Sequence, residues 1–213
     1  LDKFIQSGID TSQLVSCADE YTAQAFITTD DVGNQITSFH PGAMVSNNIS
    51  TLSDIKTNIG IVSPNSHQAM VQNSNEFFSR RIDFIFDPGQ ALPMFTSNEI
   101  IEFVTKATWI AVNEYESEIL CKKTGLSLKE LSYKLQSKKN SAIFQTLGDK
   151  GCRVITKEVN TLIKPIKVTK AIDPTGCGDA FRAGIIYGLV RGVSPEDSAA
   201  IGNVIGSIKV QSI

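Results

Sequence analysis

The sequence predicts an α/β fold in which a mostly parallel sheet is covered by helices on both faces. From residue 59 onward, short apolar runs alternate with longer segments whose apolar residues have helical spacing. This alternation is the pattern of βαβ units. The apolar runs are nearly continuous, as strands buried on both faces require. Before residue 59, two β-rich runs flank a turn, which predicts a small additional β element.

Four apolar runs predict the parallel strands, and each is bounded by small, polar or proline residues that end a strand. A fifth stretch, GCRVITKEVNTLIKPIKV, has β-branched residues on both sides of a polar middle and predicts an antiparallel hairpin. The four runs are IGIVSP (59–64), DFIFDPG (83–89), WIAVN (109–113) and SAIFQTLG (141–148).

Helix-start signals precede several of the intervening segments. Ser97 is a candidate cap for the helix predicted at 96–107, and Ser127 with Glu130 forms a capping-box pattern at the start of the helix predicted at 127–135. Ser194 is a candidate cap for the last helix, which has Pro195 in its first turn. The predicted helices are SHQAMVQNSNEFFSR (66–80), TSNEIIEFVTKA (96–107), YESEILCKKTG (115–125), SLKELSYKL (127–135), DAFRAGIIYGLVRG (179–192) and a segment that starts at SPED (194–197).

The two ends of the chain and its first β-rich segment have their own patterns. LDKFIQSGID at the start has the pattern of a helix that would begin before residue 1. SIKVQSI at the end stops before its residue pattern is complete. We therefore expect a chain truncated at both ends. The segment YTAQAFITTDDVGNQITSFHPGAM predicts a hairpin around TDDVGNQ. With no repeat or long linker, we expect residues 1–213 to form one domain.

Composition excludes several classes of function. A net charge of −2, a pI of about 5.7 and a mean hydropathy of −0.02 argue against a general nucleic-acid or acidic-membrane surface. No apolar run approaches the length of a membrane span, and no signal peptide opens the chain. The four cysteines are far apart in sequence, which favours reduced thiols in a cytoplasmic protein over a disulfide or zinc framework.

Polar and small residues follow the predicted parallel strands. Ser63, Asp87, Asn113 and Thr146 each stand at or just after the end of one apolar run. Because the carboxyl ends of parallel strands meet at one edge of a sheet, we expect these residues on one rim, where such folds bind ligands.

The stretch AIDPTGCGDAFRAG (171–184) adds a candidate catalytic turn. Small residues before a helix leave backbone N–H groups free, and these groups and the helix dipole favour an anion. Asp179 beside that anion suits a base that accepts a proton from an attacking hydroxyl. The alternative is a glycine-rich turn whose acid complements the helix dipole. The chain has no Walker A loop, and Phe181 replaces the third glycine of a dinucleotide fingerprint, which disfavours an oxidoreductase.

DPTGCGDAFRAG resembles the signature D-T-x-G-A-G-D-x-F-x-x-G of the pfkB (ribokinase-like) family of carbohydrate and nucleoside kinases. Three other segments resemble family motifs in the expected order. NEYE (113–116) is similar to N-x-x-E, TLGDKG (146–151) to T-x-G-x-x-G, and FDPGQ to a D-P-N strand end with Gly89 in place of Asn. The signature positions that match are Asp173, Gly176, Gly178, Asp179, Phe181 and Gly184.

The resemblance implies a ribokinase-like three-layer α/β/α fold with a small β-sheet lid, to which the hairpin at 21–43 would contribute. It implies transfer of the γ-phosphoryl group of ATP to a primary hydroxyl. The chain looks closest to bacterial adenosine kinase-like members, so adenosine is the first acceptor to expect. A ribose- or fructose-type sugar kinase and a catalytically silent ATP-binding relative are the alternatives. Mg²⁺, a monovalent cation such as K⁺ and a homodimer are further expectations, whereas nucleic-acid and membrane partners are not expected.

The resemblance also implies roles for individual residues. Asp179 would be the base, and the backbone of Gly176, Cys177 and Gly178 would stabilise charge on the transferred group. Asn113 and Glu116 would organise Mg²⁺, with a helix-start capping pair as the alternative or additional role. Nucleotide-side positions would be Thr146, Gly148, Gly151, Asp173, Thr175 and Asn203.

Three other residues and the start of the chain complete the predictions. His40 and His67 are expected to be structural or surface residues, and Asp87 is a candidate for the metal's water network. For Arg182, an exposed helical position is favoured over contact with phosphate. Family members begin with a strand and a Gly-Gly motif that hold the acceptor, and this chain has neither. We therefore expect part of the acceptor pocket to be missing and this segment alone to be inactive.

Overall fold

The computed structural model describes residues 1–30, 35–46, 49–52, 56–138 and 140–212. The chain divides into two compact units, Leu1–Ile55 and Lys56–Ile213. Each unit has its own sheet. Residues 31–34, at the centre of the predicted turn TDDVGNQ, lie outside the described residues.

The first unit contains a short helix and a two-stranded antiparallel sheet. Helix α1 covers Asp2–Gln6, and a 3₁₀ turn covers Gly42–Val45. Strands β1 (Gln24–Thr29) and β2 (Gln35–His40) pair with Gln24 opposite His40. The predicted pairing of the two β-rich runs is therefore confirmed. The role of this hairpin in a lid and the assignment of the chain to one domain stay predictions.

The second unit alternates strands and helices in the predicted order. The strands are β3 (Ile59–Val62), β4 (Asp83–Phe86), β5 (Trp109–Asn113), β6 (Ala142–Thr146), β7 (Cys152–Ile155) and β8 (Asn160–Ile163). The helices are α2 (His67–Ser79), α3 (Ser97–Lys106), α4 (Glu114–Thr124), α5 (Leu128–Lys134), α6 (Cys177–Val190) and α7 (Pro195–Lys209). Short 3₁₀ segments cover Gly89–Met94 and Gly148–Lys150.

The six strands of the second unit form one mixed sheet in the order β3-β4-β5-β6-β7-β8. Strands β3 to β6 run parallel, and β7 and β8 are added as antiparallel strands. The mostly parallel sheet and the closing hairpin are thus confirmed.

Alternate residues of β4 face different helices, because successive side chains of a strand point to opposite faces of the sheet. Phe84 stacks on Phe77 of α2, and Phe86 stacks on Phe103 of α3 with ring centres 4.6 Å apart. Ile85 instead belongs to the core cluster that contains Phe181 of α6. Helices therefore cover both faces, which confirms the expected three-layer arrangement.

The helix caps agree with the sequence in all but one case. The Ser127–Glu130 capping box and the Ser194 cap are present. The prediction of Ser97 as the cap of α3 is wrong, because Thr96 accepts the Glu99 N–H and Glu99 binds back to the Thr96 N–H. Among the described residues, no helix combines the length and the apolar character that a membrane span requires.

Candidate active site

The carboxyl ends of the parallel strands bring polar residues to one rim, as predicted. Asn113 is the last residue of β5 and pairs in register with Thr146, the last residue of β6. Asp87 directly follows β4, and its N–H donates to the carbonyl of Val62 at the end of β3 at 2.9 Å. Asp87, Asn113 and Thr146 therefore stand on adjacent strands at one edge of the sheet.

The turn before α6 is held by hydrogen bonds within itself. Oδ1 of Asp173 accepts the N–H of Thr175 at 2.8 Å. This bond, with a smaller contribution from the positive charge of Lys209, lowers the pKa of the Asp173 carboxyl. The N–H of Cys177 donates to the carbonyl of Pro174 at 3.1 Å. The turn closes at Gly176, whose φ of 79° is a left-handed conformation that glycine adopts without steric cost.

The first turn of α6 presents unused backbone donors. Within the described part of the chain, the N–H groups of Gly176, Gly178 and Asp179 donate to no acceptor, whereas that of Cys177 is used in the turn. The Asp179 side chain is exposed beside them. Free N–H groups at a helix N-terminus, together with the helix dipole, form a favourable environment for an anion such as a phosphate.

A buried carboxylate approaches the same helix from β4. Asp87 is only 3% exposed and binds the guanidinium of Arg182 through two nitrogens. Nη2 donates to Oδ1 at 2.6 Å, and Nε forms an ion pair with Oδ2. The prediction of an exposed helical arginine at position 182 is therefore wrong, because the ion pair with Asp87 holds the side chain at the sheet edge and leaves it 19% exposed.

Three carboxylates share this end of the sheet. Burial raises the pKa of Asp87 to about 6, against the lowering effect of Arg182, and the negative charges of Glu116 and Asp179 raise it further. Glu116 comes from the start of α4 and Asp179 from the start of α6. Like charges gathered at one place are costly unless a cation balances them, and Arg182 is the cation in direct contact with Asp87.

Asn113 and Glu116 form the capping box that the sequence offered as one of their two roles. Oδ1 of Asn113 accepts the Glu116 N–H, and Oε2 of Glu116 accepts the Asn113 N–H, both at 2.8 Å. Within the described residues, Oε1 of Glu116 accepts no hydrogen bond. The box therefore fixes the carboxylate and leaves one of its oxygens available.

The predicted nucleotide-side residues lie on the turn that joins β6 to β7 and on helix α7. Gly148 is exposed with a φ of 59° and open space where a side chain would extend. Gly151 is buried, and a Cβ there would lie 2.2 Å from the Ile163 carbonyl oxygen, so this glycine is required by packing. Thr146 immediately precedes the turn.

Asn203 connects α7 to the segment after β8. Its Nδ2 donates to the carbonyls of Ile163 and Lys164 at 3.3 and 2.9 Å. The amide donor is therefore used inside the protein. Binding of a nucleotide by Asn203 stays a prediction.

The donor set at the rim fits a hydrated Mg²⁺ ion better than a metal enclosed by the protein. No group of three His, Cys, Asp or Glu side chains with metal-binding geometry occurs among the residues that the structure describes. Mg²⁺ commonly binds through one or two carboxylates while it retains several waters. The available oxygen of Glu116 suits that mode, with Asp87 engaged by Arg182.

The four cysteines are free, as predicted from their spacing. Cys152 is buried, and desolvation raises the pKa of its thiol to about 12. Burial also raises the pKa of Cys177. Neither thiol is activated as a nucleophile.

Arg182 is the site residue whose placement the sequence interpretation missed. The sequence did indicate that Arg182 lies near Asp179, because residues three apart on a helix share a face and Arg182 follows Asp179 by three. The identity of its partner was not readable, since Asp87 lies 95 residues earlier in the chain.

Comparisons with known proteins identify the family of the chain and its fold. The model of the pfkB family of carbohydrate kinases matches residues 1–213. A nucleoside kinase of Methanocaldococcus jannaschii is 29% identical over 204 residues, which are 96% of this chain and 66% of that protein.

Solved structures give a closer match in both fold and sequence. The nucleoside kinase of Burkholderia thailandensis in complex with inosine has a TM-score of 0.93 and 36% identity, over 99% of this chain and 70% of its own. The same enzyme in its ADP–inosine complex has a TM-score of 0.92, over 100% of this chain and 65% of its own. The chain thus spans roughly two thirds of the length of these relatives.

Proposed function

Because the chain belongs to the pfkB family of carbohydrate kinases, we propose that the protein transfers the γ-phosphoryl group of ATP to a primary hydroxyl of a nucleoside. The observation that carries the proposal is the start of α6. An exposed carboxylate, Asp179, stands beside backbone N–H groups that have no acceptor in the described part of the chain. A base next to an anion site is the combination that phosphoryl transfer to a hydroxyl needs.

In the proposed reaction, Asp179 accepts the proton of the acceptor hydroxyl. The hydroxyl oxygen forms a bond to the γ-phosphorus as the bond from that phosphorus to the β–γ bridging oxygen breaks. ADP leaves with the electron pair of the broken bond, and the phosphorylated acceptor remains. The N–H groups of Gly178 and Asp179 are the backbone donors that would stabilise negative charge on the transferred group.

Glu116 is proposed as the carboxylate nearest the metal. Its capping box holds the side chain in place, and its Oε1 is available for water or metal. Asn113, whose Oδ1 is used in the same box, is proposed to contribute only through water. Mg²⁺ held there, through Glu116 and water, would neutralise negative charge on the phosphates.

The turn Gly148–Gly151 and Thr146 are proposed to line the nucleotide. The open space at Gly148 permits close approach of a ligand to the backbone. Asp173 and Thr175 are proposed to act indirectly, because their mutual hydrogen bond shapes the turn before α6.

A nucleoside is favoured over a free sugar because relatives that match nearly all of this chain bear the name nucleoside kinase. Inosine occurs in the solved complexes of the Burkholderia enzyme. Adenosine, the acceptor expected from the sequence, and inosine are therefore the first two to test. A sugar kinase is the second candidate, since the family is described as carbohydrate kinases.

The test is ADP formation from Mg-ATP by the full-length protein with adenosine, inosine, guanosine, ribose and fructose. Asp179→Asn is assayed alongside and is expected to lower kcat by about 10²–10⁴-fold. ATP affinity, measured by calorimetry, should change little in this variant. Asp197→Asn is the control, because Asp197 is an exposed acid in the first turn of α7.

The proposal is supported if the wild type and Asp197→Asn turn over a nucleoside and Asp179→Asn loses this activity. Preference for ribose or fructose overturns the nucleoside assignment and favours the sugar kinase. ATP binding without turnover of any acceptor points to a catalytically silent relative, and an absence of ATP binding rejects kinase function altogether.

A further inference from the structure

Arg182 stands next to the proposed base on the same helix. It follows Asp179 by three residues in α6, so both side chains leave the same face near the helix start. The side chain is 19% exposed. Its guanidinium is thus sheltered from bulk water yet still open on one side.

Asp87 holds this guanidinium in a fixed orientation. Two of its three nitrogens, Nε and Nη2, face the two oxygens of the carboxylate. Nη2 donates a hydrogen bond to Oδ1, whereas Nε contacts Oδ2 as an ion pair without a hydrogen bond. The two contacts together hold the guanidinium against the carboxylate. The Asp87 backbone is itself tied to β3 through the Val62 carbonyl, so the pair is anchored to the sheet.

The third nitrogen, Nη1, faces the first turn of α6. A Cβ built on Gly178 would lie 2.6 Å from Nη1, so this nitrogen sits directly against the Gly178 backbone. Across the described ranges of the chain, Nη1 has no hydrogen-bond acceptor. A cationic group without an acceptor in the described ranges therefore lies against Gly178, in the first turn of α6.

A purely structural ion pair would not require these features. Linking α6 to the end of β4 needs only the Nη2 hydrogen bond and the Nε ion-pair contact to Asp87, and a buried pair is weak evidence of stabilisation by itself. A side chain at position 178 would meet Nη1, the end of the Arg182 side chain, and would displace it. Nη1, without an acceptor among the described residues, and the unused N–H groups of Gly178 and Asp179 belong to the same end of α6, beside the proposed base.

We propose that Arg182 is a catalytic residue whose Nη1 donates hydrogen bonds to the non-bridging oxygens of the transferred phosphoryl group, with Asp87 as the residue that positions it. This inference rests on the proposed function and deepens it. In this role Arg182 stabilises charge and does not transfer a proton. The site thus combines backbone donors with one fixed cation.

The experiment compares kcat, KM for ATP and thermal unfolding of the full-length protein with those of Arg182→Ala, Arg182→Lys and Asp87→Asn. Arg182→Ala is expected to lower kcat by about 10²–10³-fold, the effect of a lost charge-stabilising donor, with a smaller change in KM. Arg182→Lys should recover little, because an ammonium cannot bind Asp87 in two places and still reach the phosphoryl group. Asp87→Asn should give an intermediate loss of kcat.

Two readouts separate catalysis from folding. Added guanidinium should restore part of the kcat of Arg182→Ala, which a variant damaged only in structure would not show. Affinity for ADP with aluminium fluoride should fall in that variant while affinity for ADP alone is retained. Arg191→Ala is the control, because Arg191 ends the same helix and lies over the ring of Tyr187.

The outcomes distinguish this inference from the function on which it rests. Wild-type turnover with an unchanged kcat in Arg182→Ala overturns the inference and leaves the kinase intact. The inference is also overturned if kcat and the unfolding temperature fall together without rescue by guanidinium. A wild-type protein that neither binds ATP nor turns over rejects the proposed function, and with it this role of Arg182.

Discussion

Gly184 of α6 and Gly202 of α7 lie almost in backbone contact: a Cβ placed on Gly184 would be 2.6 Å from the Cα of Gly202. On the other side of the same crossing, a Cβ on Gly202 would lie 2.7 Å from the ring of Phe181. Such close approach is possible only where side chains are absent. Helix α7 therefore supports the turn of α6 that follows Asp179.

The first prediction concerns this helix crossing. Gly184→Ala should lower the free energy of unfolding by about 1–3 kcal/mol, because the added methyl group meets backbone and cannot be relieved by a rotamer change. Gly206→Ala is the matched control, since its nearest neighbour would be the Cys177 carbonyl oxygen at an ordinary 3.7 Å. This control should stabilise α7 by up to about 1 kcal/mol. Urea unfolding measures both, and equal effects of the two changes would contradict the packing argument.

The second prediction separates Gly176 and Gly178, the two glycines of the proposed catalytic turn. In Gly178→Ala, the new methyl group would displace Nη1 of Arg182, so kcat should fall by about 10²-fold with little loss of stability. In Gly176→Ala, φ of 79° becomes strained, which should cost about 1–2 kcal/mol of stability. Steady-state kinetics and thermal unfolding test the pair. Full activity in Gly178→Ala would show that turnover does not depend on the position of Nη1 of Arg182.

The third prediction concerns Glu116. Glu116→Gln keeps an oxygen for the Asn113 N–H but removes the charge, so α4 should keep its stability. The Mg²⁺ concentration that gives half-maximal activity should rise by about tenfold or more, in line with loss of a carboxylate near the ion. Glu130→Gln, which alters the equivalent capping box of α5, is the control. An unchanged Mg²⁺ requirement would limit Glu116 to its capping role.

The fourth prediction concerns pH and Asp87. Its pKa is raised from 3.8 to about 6 by burial, so the folded protein binds this proton more tightly than the unfolded chain. The contribution of the carboxyl to stability is then complete below about pH 4 and is lost as pH rises through about 6. Relative to Asp87→Asn, the wild type should lose at most about 3 kcal/mol across this window. Urea unfolding at about pH 4.5 and 7.5 measures the change. A wild-type advantage that grows with pH would mean that attraction to Arg182 outweighs the cost of burial.

Local patterns sufficed for the strands and most of the helices. The parallel strands were predictable because burial on both faces demands continuous apolar runs such as WIAVN, which matches β5 residue for residue. The correct cap of α3, Thr96, could have been predicted in place of Ser97. Thr96 precedes Glu99 by three residues, so it completes the same box pattern that identified Ser127.

Long-range contacts at the site could not be predicted in the same way. The position of Asp87 on the rim follows from strand order, but its pairing with Arg182 depends on how α6 lies across the sheet. The N–H of Cys177 donates to the carbonyl of Pro174. This hydrogen bond depends on the backbone conformation of the turn, which the residue types do not determine. The glycine spacing predicted an anion site at the start of α6. Which backbone N–H groups lack an acceptor there could be identified only from the folded backbone.

In the sheet of the second unit, strand order equals chain order from β3 to β8. Each strand therefore adds to the edge formed by the strand just before it, and no strand has to be inserted between two others. Closing short loops costs less entropy than closing long ones, and domains begin to fold while the chain is still being synthesised. This sheet can consequently grow strand by strand as the chain leaves the ribosome, and the antiparallel pair that follows β6 emerges before the turn that precedes α6.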